Sequence, residues 1–151
     1  TKHNKAAELG PELAVIDTPP HADAMARQAA KLADLILVPC RPKAFDLAAV
    51  EATADLVKAT GKPAFVVFVA GPPRGPLIYA EATELVAGAG HGIGLAVAPI
   101  VLPERAAYHH GTAAGLTSGE LAPGSKAADE AGGLWAWTRE QLGMPTCEQR
   151  P

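Results

Sequence analysis

Four apolar stretches set the limits on what this chain can fold into: ELAVID (Glu12–Asp17), DLILVP (Asp34–Pro39), PAFVVFVA (Pro63–Ala70) and IGLAVAPI (Ile93–Ile100). Each is short and rich in Val, Ile and Leu, and none alternates cleanly with polar residues. A strand with one face in water alternates, whereas a strand covered on both faces does not. The stretches between them have helical composition: Asp23–Ala33, Asp46–Thr60 and Leu77–Ala89. In the middle one, Leu47, Val50, Ala54 and Val57 recur at three- and four-residue steps, which puts them on one helix face. Strand, helix, strand in that order implies parallel pairing through right-handed crossovers. The predicted class is therefore α/β, a doubly wound, mostly parallel sheet with helices on both faces.

The chain has 151 residues, of which 48% are hydrophobic and 19% charged, in the range of one globular domain with a sizeable core. The net charge of −3 argues neither for a polyanion partner nor for an acidic tail, so any contact with nucleic acid has to be local. The 2 cysteines, Cys40 and Cys147, lie far apart and have no zinc-ligand spacing, which leaves no disulfide framework. There is no run of about 18 apolar residues and no charged-then-apolar start, so the expectation is a cytoplasmic protein with no membrane partner. The chain opens on Thr1, as a fragment would. Towards the C-terminus, Ser125 is placed to cap a helix through SKAADEAGGLWAWTREQLG. Asp129 and Glu130 would lie near its positive end, and Leu134, Trp135, Trp137 and Leu142 would form its apolar face. That helix closes a single domain over residues 1–142 and leaves 143–151 as a tail.

In open parallel sheets, ligands gather at the carboxyl ends of the strands, where the loops face a common crevice. AVIDTPP (Ala14–Pro20) is predicted to end a strand there. A carboxylate at Asp17 could orient a magnesium-bound water, with Thr18, Pro19 and Pro20 as a loop sensing a terminal phosphate. The alternative is that Asp17 caps a helix starting near Ala22 and the prolines only end the strand.

From AVIDTPP through ADLILVPCRPKAFDLAAV, VAGPPRG and ERAAYHHGTAAGL to ELAPGSKAADEAGGL, the chain resembles the C-terminal two thirds of ParA/MinD-type P-loop ATPases, ParA partition proteins above all. The resemblance spans about Leu13 to Leu142 and rests on several motifs in the same order. It implies a P-loop NTPase-like sheet truncated at its N-terminus, with ATP and Mg as cofactors. It also implies an ATP-dependent homodimer, nonspecific DNA binding in the ATP state, and a centromere-binding or cargo protein as partner. Asp17 takes the Walker B-like place, with metal contact through water and only when nucleotide is bound. Thr18, Pro19 and Pro20 take the switch-loop place, Pro72 and Pro73 the nucleotide-binding one. Arg74 and Arg105 match positions that contact DNA nonspecifically in some chromosomal relatives. A guanidinium can hold phosphate oxygens bidentately without reading sequence. For each arginine the plain alternative is a surface side chain or an ion pair with a neighbour such as Glu104.

Two departures from the family pattern matter. The Gly-rich loop with Lys and Ser or Thr that cradles phosphate is absent. Gly61-Lys62 is followed by Pro63 and precedes a strand, and GAGHGIG (Gly88–Gly94) lacks the Lys and runs from helix into strand. Secondly, Val69 stands where many relatives carry an Asn that reads adenine, and an apolar side chain cannot make those hydrogen bonds. No tight nucleotide binding and no ATP hydrolysis are therefore expected of this chain alone. Lys31, Arg41, Lys43 and Lys126 are candidate helpers for DNA, but they form no basic stripe. His109 and His110 point about 100° apart on a helix and cannot easily share a metal. Cys40 is expected to be a small core residue and Asp46 to start a helix. Two functions follow: an ATPase switch for DNA or plasmid segregation whose phosphate loop lies upstream of Thr1, or a degenerate, non-catalytic ParA-like module that binds a partner or self-associates.

Overall fold

The computed structural model describes residues 13–19, 23–88 and 92–144. The strands are β1 (Ile36–Cys40), β2 (Ala64–Phe68) and β3 (Ala96–Val97), and the helices are α1 (Asp23–Leu32), α2 (Ala44–Lys58), α3 (Pro76–Ala87), α4 (Ala106–Ala114), α5 (Ser118–Leu121) and α6 (Lys126–Gln141). The strands form one parallel sheet in the order β1-β2-β3. Ile36 lies opposite Ala64 and Cys40 opposite Phe68. The α/β class and the parallel pairing agree with the reading of the sequence.

Side chains alternate across a strand, so Val38, Cys40, Val66 and Phe68 share one face. They pack in a single core with Leu47, Val50, Ala54 and Val57 of α2 and Ala82 and Val86 of α3. The periodic stripe read in the sequence is the stripe that α2 buries. The other face carries Phe65, whose ring meets Trp137 of α6 edge-on at 4.9 Å between centroids. Helices thus approach both faces of this small sheet. Ser125 caps α6 by accepting a hydrogen bond from the Ala128 N–H at 3.2 Å, as expected of a Ser in that place.

The first apolar stretch behaves differently. The strand expected over Glu12–Asp17 does not form among its described residues: 13–19 have no regular structure and Val15 is 85% exposed, while Glu12 lies outside the described residues. No strand lies beside this stretch among the described residues, and the open edge of β1 carries Pro39, which offers no N–H. A strand needs a partner for its backbone N–H and C=O groups, and among the described residues β1 pairs only with β2. The Ile36 N–H donates to Pro63 O and the Cys40 carbonyl accepts from the Val69 N–H, so Ile36, Val38 and Cys40 face β2. Leu37 and Pro39 therefore face away, along an open edge on which Pro39 offers no N–H.

The fourth stretch shrinks to Ala96–Val97 for a similar reason. Pro99 cannot donate, and the chain bends before Leu102 returns to bridge Val69 in parallel. Helix α2 begins at Ala44, with Asp46 in its first turn.

Candidate functional site

The loops after β1 and β2 meet the segment that follows β3 at the carboxyl ends of the strands. They are tied by backbone hydrogen bonds: Val69 N–H to Cys40 O at 2.9 Å, Leu102 N–H to Phe68 O at 2.9 Å, Ala70 N–H to Leu102 O at 2.8 Å and Glu104 N–H to Gly71 O at 2.8 Å. Ala70 holds φ of 50°, a left-handed conformation that costs a non-glycine residue energy and that its bond to Leu102 helps retain. Gly71 is required by space. A Cβ there would lie 2.5 Å from Tyr79 Oη and 2.7 Å from Pro42 Cγ. Tyr79 Oη in turn donates to Pro72 O at 3.1 Å, which fixes the start of the Pro72–Gly75 loop.

These loops border an open crevice of about 510 Å³ whose walls include Arg41, Lys43, Ala70, Leu102, Arg105 and His109. A neighbouring groove of about 420 Å³ runs between β1 and α2, past Val38, Cys40, Asp46 and Thr53. The cations on the crevice are not equivalent. Arg41 donates through both Nε and Nη2 to Asp46 Oδ1 at 3.0 and 2.9 Å. Arg41 is exposed and Asp46 half-buried, so water and salt still reach the pair and weaken it. The Lys43 side chain has no ion pair or hydrogen bond among the described residues, while its backbone N–H donates to Arg41 O at 2.8 Å.

Arg105 is the most firmly held. Its Nε donates to Glu130 Oε2 at 2.7 Å and its Nη2 to Glu130 Oε1, a bidentate pair across 25 residues of sequence. Both side chains are only about one fifth exposed, at 21% and 22%. Tyr108 completes the cluster, donating from Oη towards Ala127 O at 3.2 Å and Glu130 Oε2 at 3.3 Å. The hydrogen bond to Glu130 raises the Arg105 pKa above its ordinary value. Burial, then the Glu130 charge and hydrogen bond, push the Tyr108 phenol up to about 12, with Arg105 opposing. Burial, with a smaller push from Glu130, also raises Tyr79. Burial and the Asp46 carboxylate push the Cys40 thiol up to about 11 against the pull of Arg41. Its Sγ donates to Arg41 O at 3.1 Å. A thiol with so little thiolate at neutral pH is a core residue and no nucleophile, in line with the expectation for it.

The other residues singled out in the sequence are spread out. Asp17, Thr18 and Pro19 are exposed and lie outside the sheet, and Pro20 falls outside the described residues. Val69 is half-buried in its bridge to Leu102, Pro72 is half-buried under Tyr79, and Pro73 and Arg74 are exposed. Arg74 makes no ion pair or hydrogen bond among the described residues. Lys31 and Lys126 are exposed on α1 and α6. His109 and His110 are exposed on α4, and among the described residues no group of three or more His, Cys, Asp or Glu side chains could hold a metal ion. Gly88, Gly92 and Gly94 turn the chain from α3 back towards β3, with Gly94 N–H bonded to Val86 O at 2.8 Å and Lys58 Nζ donating to Ile93 O. Residues 89–91 of that glycine-rich stretch fall outside the described residues.

The sequence reading missed Glu130, Tyr79 and Tyr108. Glu130 had a signal, as an acid in the first turns of a capped helix, but nothing local paired it with Arg105. The arginine's partner is Glu130 and its neighbour Glu104 is not.

No protein-family model, no curated protein and no solved structure matches this chain. No helix among the described residues is long and apolar enough to cross a membrane.

Proposed function

We propose that this chain is the C-terminal part of a ParA-like partitioning ATPase, a cytoplasmic switch that dimerises on nucleotide and holds DNA nonspecifically for segregation with a centromere-binding or cargo partner. The observation that supports it is the crevice at the carboxyl ends of parallel strands. Arg41 and Lys43 of the loop after β1, Val69 and Ala70 after β2, and Arg105 after β3 line it, while Pro72, Pro73 and Arg74 lie outside its walls. On this reading Arg74 and Arg105 are the DNA contacts, Pro72 and Pro73 lie on the nucleotide side, and Asp17 with Thr18, Pro19 and Pro20 forms the switch.

The residues present do not complete a site for ATP and Mg. No Gly-rich turn with Lys and Ser or Thr opens α2, α3 or α4, whose first turns follow Lys43, Gly75 and Arg105. Asp17 stands clear of the sheet. No hydrolytic step can be built from this chain alone, and the open edge of β1 is where the reading puts one more strand, bearing the phosphate loop. Reading the coding sequence upstream of the Thr1 codon tests this. A KGGxGKT-like stretch about seventy residues before Thr1 is the expected result, by the length of the missing unit that the motif order implies. A start codon at or just before Thr1 would overturn it.

A second reading has an observation of its own. With Asp17 off the sheet and the β1 edge open, the chain could be a non-catalytic module that binds a protein or a second copy. Phosphate release with magnesium and ATP, with and without DNA, separates activity from its absence. Both readings expect the chain as given to match a buffer blank, and turnover that disappears in Asp17→Ala would contradict both.

A further inference from the structure

The two arginines offered to DNA differ in one respect that the structure makes plain. Arg74 is exposed and makes no ion pair or hydrogen bond among the described residues. Arg105 spends both faces of its guanidinium fork on the two oxygens of Glu130. A carboxylate and a phosphate present the same pair of acceptor oxygens to that fork, so one guanidinium cannot serve both bidentately. Tyr108 braces Glu130 from the side, and Glu130 itself is carried by the first turns of α6, a helix anchored to the sheet through Trp137 and Phe65. The carboxylate is thus held at a defined point beside the crevice and does not drift with a loop.

We propose that Glu130 is an internal competitor for Arg105, keeping it from phosphate oxygens until the pair opens, so that Arg74 is available to a polyanion at once and Arg105 only conditionally. This rests on the DNA-binding role given above to the two arginines and adds a gate to one of them. The other charged side chains on the crevice are Glu104, Arg41, which is paired with Asp46, and Lys43, whose cation would join Arg105 on the same anion once the carboxylate is displaced.

Binding of the whole 151-residue chain to a random-sequence duplex, followed by fluorescence anisotropy over a range of salt concentrations, tests the gate. Glu130→Gln and Glu130→Asp are compared with the parent, and near-ultraviolet circular dichroism checks that each is folded. Glu130→Asp keeps the net charge and breaks only the bidentate reach, so it stands in if Glu130→Gln fails to fold. Both are expected to bind several-fold more tightly, with a salt slope steeper by about 0.9, as one added phosphate contact requires. The gain should vanish when Arg105→Ala is added. Glu51→Gln, which removes an exposed carboxylate from α2, controls for net charge and should change little. A gain that survives Arg105→Ala, a gain equalled by Glu51→Gln, or no gain in either Glu130 variant would overturn the proposal. Binding by the parent that Arg74→Ala weakens, with no gain in either Glu130 variant, would overturn the gate alone, whereas no binding by the parent and the variants alike would overturn the DNA-binding role together with the gate.

Discussion

Two apolar runs, Leu13–Asp17 and Ile36–Cys40, have nearly the same character, yet only the second is a strand. Both are short, β-branched and end near a proline. The second lies beside β2 in register, with Val38 and Cys40 buried against α2 and α3. The first has no strand beside it among the described residues, and its Val15 stands in water. β propensity is thus a statement about fitting a pleated, covered surface, and the same residues without a neighbour do not fold alone. Leu37 and Pro39 of β1 face an edge that carries no further strand among the described residues.

The sharpest way to break this comparison is to put a charge into each run. Val38→Asp buries a carboxylate in the core and should cost several kcal/mol, enough to unfold a domain of this size in a denaturant titration. Val15→Asp should stay within about 0.5 kcal/mol of the parent, because the side chain is already exposed. Comparable losses at both positions would mean that the first run is packed in solution. Phe68→Ala, at a residue 1% exposed in the core, should cost about 3–5 kcal/mol in the same experiment.

Gly71→Ala probes the crevice side of the same sheet. The added methyl meets Tyr79 Oη and Pro42, so a loss of about 1–3 kcal/mol is expected, larger than for Gly61→Ala, where the added atom meets nothing but φ is 66°. The smallest effect concerns Tyr108. Its pKa is raised in the folded protein from an ordinary 10 to about 12, so its contribution to stability is complete below pH 10 and is lost as pH rises from there towards 12. Tyr108→Phe should flatten the alkaline fall in stability, measured by thermal melts between pH 9 and 12, and an unchanged profile would assign that fall to other groups.

How far the sequence could be read follows from the same physics. The stripe Leu47, Val50, Ala54 and Val57 was legible because a buried helix face repeats at three and four residues, and all four are in the core. The parallel sheet was legible because its runs do not alternate. Leu13–Asp17 misled because composition records what a strand would bury and not whether a partner is present. Helix α4 had a weak signal, since Gly111 interrupts it. That glycine is there for close approach, as a Cβ would lie 2.7 Å from Leu116 O. The Arg105–Glu130 pair was not legible, because its partners are joined only by the folding of α4 and α6 onto one end of the sheet. Arg74 and Arg105, alike in the sequence, differ because one of them found an acid.

Backbone hydrogen exchange on the 151-residue chain addresses the central claim, that the neighbour decides which apolar run becomes a strand. The amides of Val38, Cys40, Val66 and Phe68 should exchange slowly, near the rate of global unfolding, while those of Ala14 to Thr18 exchange at close to unprotected rates. Strong protection at Val15 and Ile16 would show a paired strand there and contradict the account.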